Sequence, residues 1–160
     1  MLSQLFPVSL RVIGIGTGAV DVKDFHVKDG TKTKPSLGVL AELLKRGVEI
    51  HLIHAKEPGP AFSEDFDRYT ILKTARERIL CPRVHFKMII FDSVTAYIGS
   101  VNLTGAGIVM KSSNRRNFET GILTDDPALV EAPSEQFDSV WRGEHCTRCG
   151  RRQYCSDHIK

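Results

Sequence analysis

The segment between residues 84 and 98 most constrains how this chain can fold. Two apolar, β-branched runs, Val84–Phe91 and Thr95–Ile98, are separated by the turn-forming pair Asp92-Ser93. Residues two apart in a strand point to the same side of a sheet, and short apolar runs around a tight turn are typical of paired strands. The sequence therefore predicts a β-hairpin here, and the rest of the chain must supply the sheet and helices that cover it.

Strand-like and helix-like segments alternate along the chain. Leu10–Ile15 predicts a first core strand, leucines at helical spacing after Pro35 predict a helix that ends at Gly47, and Val48–Ile53 predicts a second strand. A second helix is expected from Ser63 to about Arg78, and the lysine-rich stretch over residues 20–34 is expected to be a loop. This alternation favours an α/β fold, a mixed β-sheet flanked by helices.

The C-terminal part continues the same pattern. Phe118–Leu123 predicts a further strand, and Asp125-Asp126-Pro127 is a typical helix start. Pro133 is expected to break or kink that helix, with a second segment running from Ser134 to Trp141. We divide the 160 residues into a catalytic domain, 1–142, and a small Cys/His tail, 143–160.

Composition narrows the class of protein only broadly. Apolar residues make up 41% of the chain, which is enough for a core, and the net charge of +3 is compatible with a polyanionic partner. The apolar N-terminal stretch is interrupted by Pro7 and glycines, so a core strand is favoured over a signal peptide. No stable membrane association is expected, and we expect the protein in the cytoplasm.

Residues suited to phosphoryl chemistry are spaced along and just beyond the hairpin. They are His85, Lys87, Asp92, Gly99-Ser100 and Asn102, in the spacing His-x-Lys-x4-Asp-x6-Gly-Ser-x-Asn. Phosphodiester cleavage needs a nucleophile and positive charge around the transition state. An imidazole, an ammonium group, a hydroxyl and an amide supply these, so the chemistry requires no divalent metal.

This pattern resembles the HKD signature of the phospholipase D superfamily, in particular its single-motif, nuclease-like branch. The resemblance covers roughly residues 8–142 and implies a phospholipase D-like sandwich and a covalent phosphohistidine on His85. Lys87, Ser100 and Asn102 would assist at the phosphate. Asp92 matches the signature's aspartate, which the resemblance implies is chiefly structural, so we expect it to serve a turn or a salt bridge.

A further match lies downstream, at Asn117-Phe118-Glu119. The resemblance implies that the carboxylate of Glu119 accepts a hydrogen bond from Nδ1 of the catalytic histidine, which leaves Nε2 as the nucleophile. The alternative is a glutamate at a strand edge that faces water.

One motif makes half a site, because one histidine must attack the phosphorus while another protonates the leaving group. The resemblance implies that a homodimer supplies the second copy across a two-fold axis. The loop before Glu119 carries basic residues that we expect to contact flanking phosphates, although a solvated loop is an equal alternative; they are Lys111, Arg115 and Arg116.

The C-terminal tail contains the pattern Cys146-x2-Cys149-x5-Cys155-x2-His158. Thiolates and an imidazole are ligands that zinc prefers, so the pattern predicts a structural zinc knuckle, with Gly150 in its turn and His145 as a possible substitute ligand. The alternative is one disulfide and a spare thiol. An odd number of clustered cysteines suits a reducing compartment.

The first hypothesis for function is a phosphodiesterase that cleaves DNA or RNA. The second is a phospholipid-directed phospholipase D or phosphatidyltransferase, which should show an apolar interfacial segment that is not evident here. The third is a noncatalytic nucleic-acid-binding module, which the complete motif disfavours.

Overall fold

A computed structural model describes residues 9–15, 26–29, 32–56, 64, 66–74, 77–100 and 118–158. Within these ranges, one sheet contains six strands: β1 (Ser9–Ile15), β4 (Glu49–His54), β5 (Glu77–Leu80), β6 (Lys87–Phe91), β7 (Thr95–Gly99) and β8 (Gly121–Thr124). A separate hairpin consists of β2 (His26–Asp29) and β3 (Lys32–Pro35). The helices are α1 (Ser36–Lys45), α2 (Thr70–Thr74) and α3 (Pro127–Trp141).

The six strands lie in the order β5-β4-β1-β6-β7-β8. β1 is parallel to β4, and β4 to β5, whereas β6 is antiparallel to β1 and each of the last three strands is antiparallel to its neighbour. The ends of β1, β4, β5 and β7 therefore share one edge of the sheet with the starts of β6 and β8. We call this edge the carboxyl edge.

Helices cover both faces of the sheet. Met88 and Ile90 of β6 pack with Phe137 of α3, which is fully buried, in one apolar cluster. The intervening Ile89 packs in a second cluster that includes leucines of α1. The alternation of these neighbours along β6 follows from the two-residue period of a strand. The predicted α/β fold, with a mixed sheet flanked by helices, is confirmed.

The predicted hairpin is also confirmed, with β6 and β7 joined by a tight turn. Val94 N donates to Phe91 O at 2.9 Å, and Asp92 and Ser93 adopt left-handed φ values of 53° and 57°. Asp is among the few residues that tolerate a positive φ. Two-residue hairpin turns with positive φ at both central positions are favoured because their twist matches that of the flanking strands. β6 begins at Lys87 rather than at Val84, because a turn closed by Val84 N and Cys81 O at 3.0 Å occupies the preceding residues.

The predicted end of α1 is correct, since Gly47 takes a left-handed φ of 84° just beyond the helix. The predicted extension of a second helix to Arg78 is wrong, because residues 77–80 form β5 and pair with β4. The predicted loop over residues 20–34 is wrong where β2 and β3 pair. Asp29-Gly30 in that stretch is a strong hairpin signal that its lysine-rich composition obscured.

Helix α3 begins as the sequence predicts, with Asp126 Oδ1 accepting from Ala128 N at 2.9 Å. It does not break at Pro133, so the prediction of two segments is wrong. Val130 and Phe137 are buried on either side of the proline, and their packing against the sheet holds both halves in one helix. Among the described residues, no helix combines the length and the apolar character needed to cross a bilayer.

Two glycines at the carboxyl edge make a close contact that no other residue allows. Gly99 of β7 pairs with Gly121 of β8, and the phenol of Tyr97 lies against both. A Cβ at Gly99 would stand 2.7 Å from Thr120 O, and one at Gly121 would stand 2.9 Å from Ile98 O. Backbone carbonyls cannot rotate away, so a methyl group here forces the strands to shift.

We expect Gly99→Ala to lower the free energy of unfolding by about 1–3 kcal/mol, the usual cost of overpacking. Urea denaturation followed by circular dichroism measures this. Gly150→Ala is the matched control, because a Cβ there meets nothing within 4 Å, and we expect it to stay within about 0.5 kcal/mol of the unchanged protein. Equal effects of the two changes would contradict the contact.

Candidate active site

His85 lies at the carboxyl edge, between the turn at residues 81–84 and the first residue of β6. Its side chain is exposed. The predicted strand from Val84 would have contained both His85 and Lys87, but the strand begins at Lys87 and leaves His85 outside it. Its position at the rim of the sheet, rather than within it, leaves the imidazole accessible to a ligand.

Lys87 is the first residue of β6 and is half-buried. Its Nζ donates to the carbonyl oxygen of His85 at 2.7 Å. An ammonium group has three donors, so this bond holds the backbone of His85 and leaves two donors for other partners. Lys87 can therefore both position His85 and provide a cation to an anionic ligand.

Ser100 and Glu119 meet where β7 ends and β8 begins. Ser100 Oγ donates to Glu119 Oε2 at 2.5 Å and accepts from Thr120 N at 3.1 Å. Ser100 N also donates to Thr120 O at 2.9 Å, which continues the pairing of the two strands. The described structure thus pairs Glu119 with Ser100, and the contact of Glu119 with the ring of His85 stays a prediction.

Asp92 lies at the opposite edge of the sheet from His85. It sits in the β6–β7 turn, five strand residues beyond the start of β6, or roughly 17 Å at the rise of an antiparallel strand. The spaced motif groups Asp92 with His85 and Lys87, but the position of Asp92 in the turn keeps it away from a phosphate bound at His85. Its left-handed φ of 53° makes it a turn residue, as expected for its structural role.

A cavity of about 720 Å³ opens beside His85 at the carboxyl edge. Positive side chains dominate its charged lining, and no carboxylate lines it in the part of the chain that the structure describes. The polar and aromatic residues of this lining are Lys56, Arg83, His85, Arg151 and Tyr154. Such a lining can hold an anion against the imidazole.

Sequence reasoning missed four of these residues as parts of the site. Lys56 could have been found, because it follows the carboxyl end of a parallel strand, where ligands of α/β proteins commonly bind. Arg83 stands two residues before His85. Arg151 and Tyr154 come from the tail, where Arg151 Nη1 donates to Pro82 O at 3.3 Å, and no local pattern predicts that contact.

Other predicted site residues lie outside the described residues. These are Asn102 of the motif and the three basic residues Lys111, Arg115 and Arg116. Their roles at the phosphate stay predictions.

The predicted zinc ligands are three half-buried free thiols and one imidazole. No group of three or more His, Cys, Asp or Glu side chains in the described ranges is arranged to hold a metal ion, so a zinc knuckle is not shown. His158 Nδ1 donates to Cys155 O at 2.9 Å. Gly150, expected in a tight turn, does not take a left-handed φ; Gly143 does, at 69°.

The tail packs against the end of β5. Cys155 Sγ donates to Leu80 O at 3.1 Å, and Leu80 N donates to Asp157 Oδ2 at 2.7 Å. Burial raises the pKa of the Cys155 thiol, a hydrogen bond with the backbone of Asp157 opposes the rise, and the charges of Cys81 and Cys146 add to it. The two hydrogen bonds with Leu80 fix the tail at the end of β5, next to the cavity.

Comparison with known proteins agrees with this geometry. Residues 19–141 match the family described as "Cardiolipin synthase, PLD-like domain". The chain is 24% identical over 133 residues to the mitochondrial cardiolipin hydrolase of Chlamydomonas reinhardtii, a match that covers 82% of this chain and 55% of that relative. The chain thus spans about half the length of the curated relative.

Solved structures share the fold. Nuc from Salmonella typhimurium, a phospholipase D family member, superposes with a TM-score of 0.60 at 20% identity, covering 85% of this chain and 79% of Nuc. NucT from Helicobacter pylori gives 0.57 at 13% identity, with coverage of 84% and 79%. TrmBL2, an archaeal chromatin protein, gives 0.52 at 15% identity, with coverage of 84% and 43%.

The family match extends over more than half of the chain and includes the hairpin, His85, Lys87, Ser100 and Glu119. The solved relatives share the fold over 84–85% of the chain. On this evidence the chain belongs to the family of phospholipase D-like domains.

Proposed function

We propose that this chain is a phosphodiesterase that cleaves nucleic acid through a covalent phosphohistidine on His85. The observation that supports this most directly is the accessible imidazole of His85 beside a cavity lined by Lys56, Arg83 and Arg151. Positive charge aimed at a phosphate stabilises the charge that develops on its oxygens in the transition state. The family to which the chain belongs contains phosphodiesterases and hydrolases.

In the first step, the free ring nitrogen of His85 attacks phosphorus. A P–N bond forms, the P–O bond to the leaving group breaks, and the leaving oxygen takes a proton from a second imidazole. In the second step, that imidazole removes a proton from water, and the resulting hydroxide displaces His85 from phosphorus. The products are a phosphomonoester and an alcohol, and both histidines return to their starting states.

The second imidazole comes from a second copy of the chain. In the described part of the cavity lining, His85 is the one histidine. His54 is fully buried, and its Nδ1 donates to Lys56 O at 2.6 Å. His51 lies against Trp141, with ring centroids 4.7 Å apart. Neither is placed to exchange a proton with a ligand in the cavity, which favours a homodimer with one shared site.

The edge of the sheet at β8 offers a surface for this dimer. Phe118 is fully exposed, and Ile122 and Leu123 are 49% and 71% exposed. Ile122 and Leu123 lie on the outermost strand, and Phe118 directly precedes Glu119. Apolar surface of this kind is typical of a contact with another protein, and a two-fold contact here adjoins the carboxyl edge.

Nucleic acid fits the cavity better than an uncharged ligand does. Three cations of the lining can pair with phosphates, and the 69% exposed ring of Tyr154 offers a face on which a base can stack. The names of two solved relatives, Nuc and NucT, and the DNA binding described for TrmBL2, are in keeping with this substrate class. The substrate loop with Lys111, Arg115 and Arg116 would extend the basic surface.

A phospholipid substrate is the second candidate. The curated relative is a cardiolipin hydrolase, and cardiolipin carries the same phosphodiester group. The same attack by His85 would cleave it. The two substrate classes differ in what lies beyond the phosphate, namely bases for Tyr154 or acyl chains in a membrane surface.

We expect Arg83→Ala to weaken binding of a short single-stranded oligonucleotide and to reduce the slope of log K against log salt concentration by about 0.7, the loss of one phosphate contact. Fluorescence anisotropy at several salt concentrations measures the slope. Arg46→Ala is the matched control, since Arg46 is exposed and precedes β4, at the edge opposite the cavity. An unchanged slope for Arg83→Ala would remove the cavity from the binding surface.

The proposed function is tested with plasmid, single-stranded DNA, RNA and cardiolipin-containing vesicles, each incubated with EDTA. We expect cleavage of DNA or RNA despite chelation, and a loss of at least about a thousandfold in kcat for His85→Asn, as for other deleted nucleophiles. Circular dichroism and gel filtration of both proteins in the same buffer serve as the control for folding and assembly.

Three outcomes contradict the proposal in different ways. Cleavage of the vesicle lipid alone would assign the chain to phospholipid. Binding of nucleic acid by the folded protein without cleavage would make it a noncatalytic module. Activity retained by His85→Asn would exclude the phosphohistidine.

A further inference from the structure

The C-terminal tail returns to a position 75 residues earlier in the chain. Cys155 Sγ donates to the carbonyl of Leu80 at 3.1 Å, so the thiol lies next to the residue that precedes Cys81. Asp157 Oδ2 accepts from Leu80 N at 2.7 Å and fixes the same contact from the other side. The tail thus contacts the end of β5 directly before Cys81, the cysteine of the chain that lies outside the tail.

Three further cysteine side chains meet in a second cavity, distinct from the one beside His85. Cys81, Cys146 and Cys149 line this cavity of about 270 Å³, together with Val140 and His145. All four cysteines of the chain are half-buried, and none forms a disulfide. Cys155 lies outside this lining, and its thiol reaches the residue before Cys81 through the bond to Leu80 O.

We propose that Cys81, Cys146, Cys149 and Cys155 form a four-thiolate zinc site that fastens the tail to the end of β5. Four thiolates in a tetrahedron, at about 2.3 Å from the metal, are a standard structural zinc site. Soft sulfur ligands favour zinc over magnesium or calcium. The sulfur atoms must close around one centre on binding, and site formation is commonly coupled to metal binding in this way.

The local backbone suits such a site. Cys149 N donates to Cys146 O at 3.2 Å, so the Cys-x2-Cys segment is a tight turn. A second turn follows directly, in which Arg152 N donates to Cys149 O at 3.3 Å. Left-handed Gly143, with φ of 69°, turns the chain out of α3 and towards these thiols. Binding of zinc would replace the four thiol protons, including the one that Cys155 donates to Leu80 O.

Cys81 fits the fourth position better than either nearby histidine does. Cys81 lines the cavity with Cys146 and Cys149 and directly follows Leu80, whose carbonyl accepts from Cys155 Sγ. His158 does not line this cavity. His145 also lines the cavity, but it is exposed, whereas the four cysteines are half-buried. The set therefore differs from the one that sequence spacing predicts, in which His158 is the fourth ligand.

The ion would also stabilise one wall of the cavity beside His85. Arg151 and Tyr154 line that wall, and both lie between Cys149 and Cys155 in the chain. A metal that holds these two cysteines would fix the short segment between them against Pro82, where Arg151 already donates a hydrogen bond. The metal site itself does not depend on the proposed function.

The test uses the full chain, purified under reducing conditions and loaded with zinc. We expect one zinc per chain by mass spectrometry of the metal, and we expect Cys81→Ser to weaken zinc affinity by more than the ~10–100-fold that outer-shell changes cost. A chromogenic chelator in competition measures the affinity. His158→Ala and His145→Ala are the matched controls, each expected to stay within about twofold of the unchanged protein.

A second measurement needs no variant. The unchanged protein loaded with Co²⁺ should show the charge-transfer and ligand-field bands of four thiolates, and zinc should protect all four cysteines, including Cys81, from alkylation. Bands of three thiolates and one imidazole, with Cys81 still reactive, would overturn the proposal, as would loss of zinc in a histidine variant and not in Cys81→Ser. Absence of zinc binding, or a disulfide in the unreduced protein, would overturn it too.

Discussion

The antiparallel pairing of β6 with β1 is the constraint on which the candidate site depends. β1, β4 and β5 run parallel, so their ends meet at one edge of the sheet, and a strand that runs the other way must start there. His85 precedes β6, and it therefore lies where the chain leaves β4 and β5. The same reasoning brings Ser100, after β7, to Glu119, before β8.

Two glycines and the C-terminal tail shape the carboxyl edge. Gly99 and Gly121 leave room for the phenol of Tyr97 against the paired strands, beside the bond of Ser100 to Glu119. On the other side of β6, the tail contributes Arg151 and Tyr154 to the cavity beside His85. The positively charged lining of the candidate site is thus made by segments far apart in sequence, around a histidine that the hairpin positions.

Local patterns in the sequence predicted much of this architecture. The hairpin, the end of α1 at Gly47 and the start of α3 at Asp126 each depend on residues within one turn of the feature, and each is confirmed. Where a distant partner decides, local patterns failed. Residues 77–80 form a strand because β4 is beside them, and Pro133 stays within a helix because Val130 and Phe137 are buried on either side of it.

The site followed the same division. Spacing predicted His85, Lys87 and Ser100 as site residues, and the family resemblance predicted Glu119. The hairpin and its flanks determine where these four residues lie. The hydrogen-bond partners of these residues were not predicted. Lys87 donates to the backbone carbonyl of His85, and Ser100 donates to Glu119. The sequence did not predict that the tail packs against Leu80. This packing places Arg151 in the lining of the cavity beside His85, and Cys81 lines a second cavity together with Cys146 and Cys149.

The central claim is that two copies of His85 act on one phosphate. It is tested most directly with a mixed dimer of one unchanged chain and one His85→Asn chain, each with a different affinity tag and isolated through both. If each site needs both imidazoles, the mixed dimer should turn over substrate no faster than the His85→Asn homodimer. About half of the unchanged activity in the mixed dimer would show that each chain works alone, and would contradict the account.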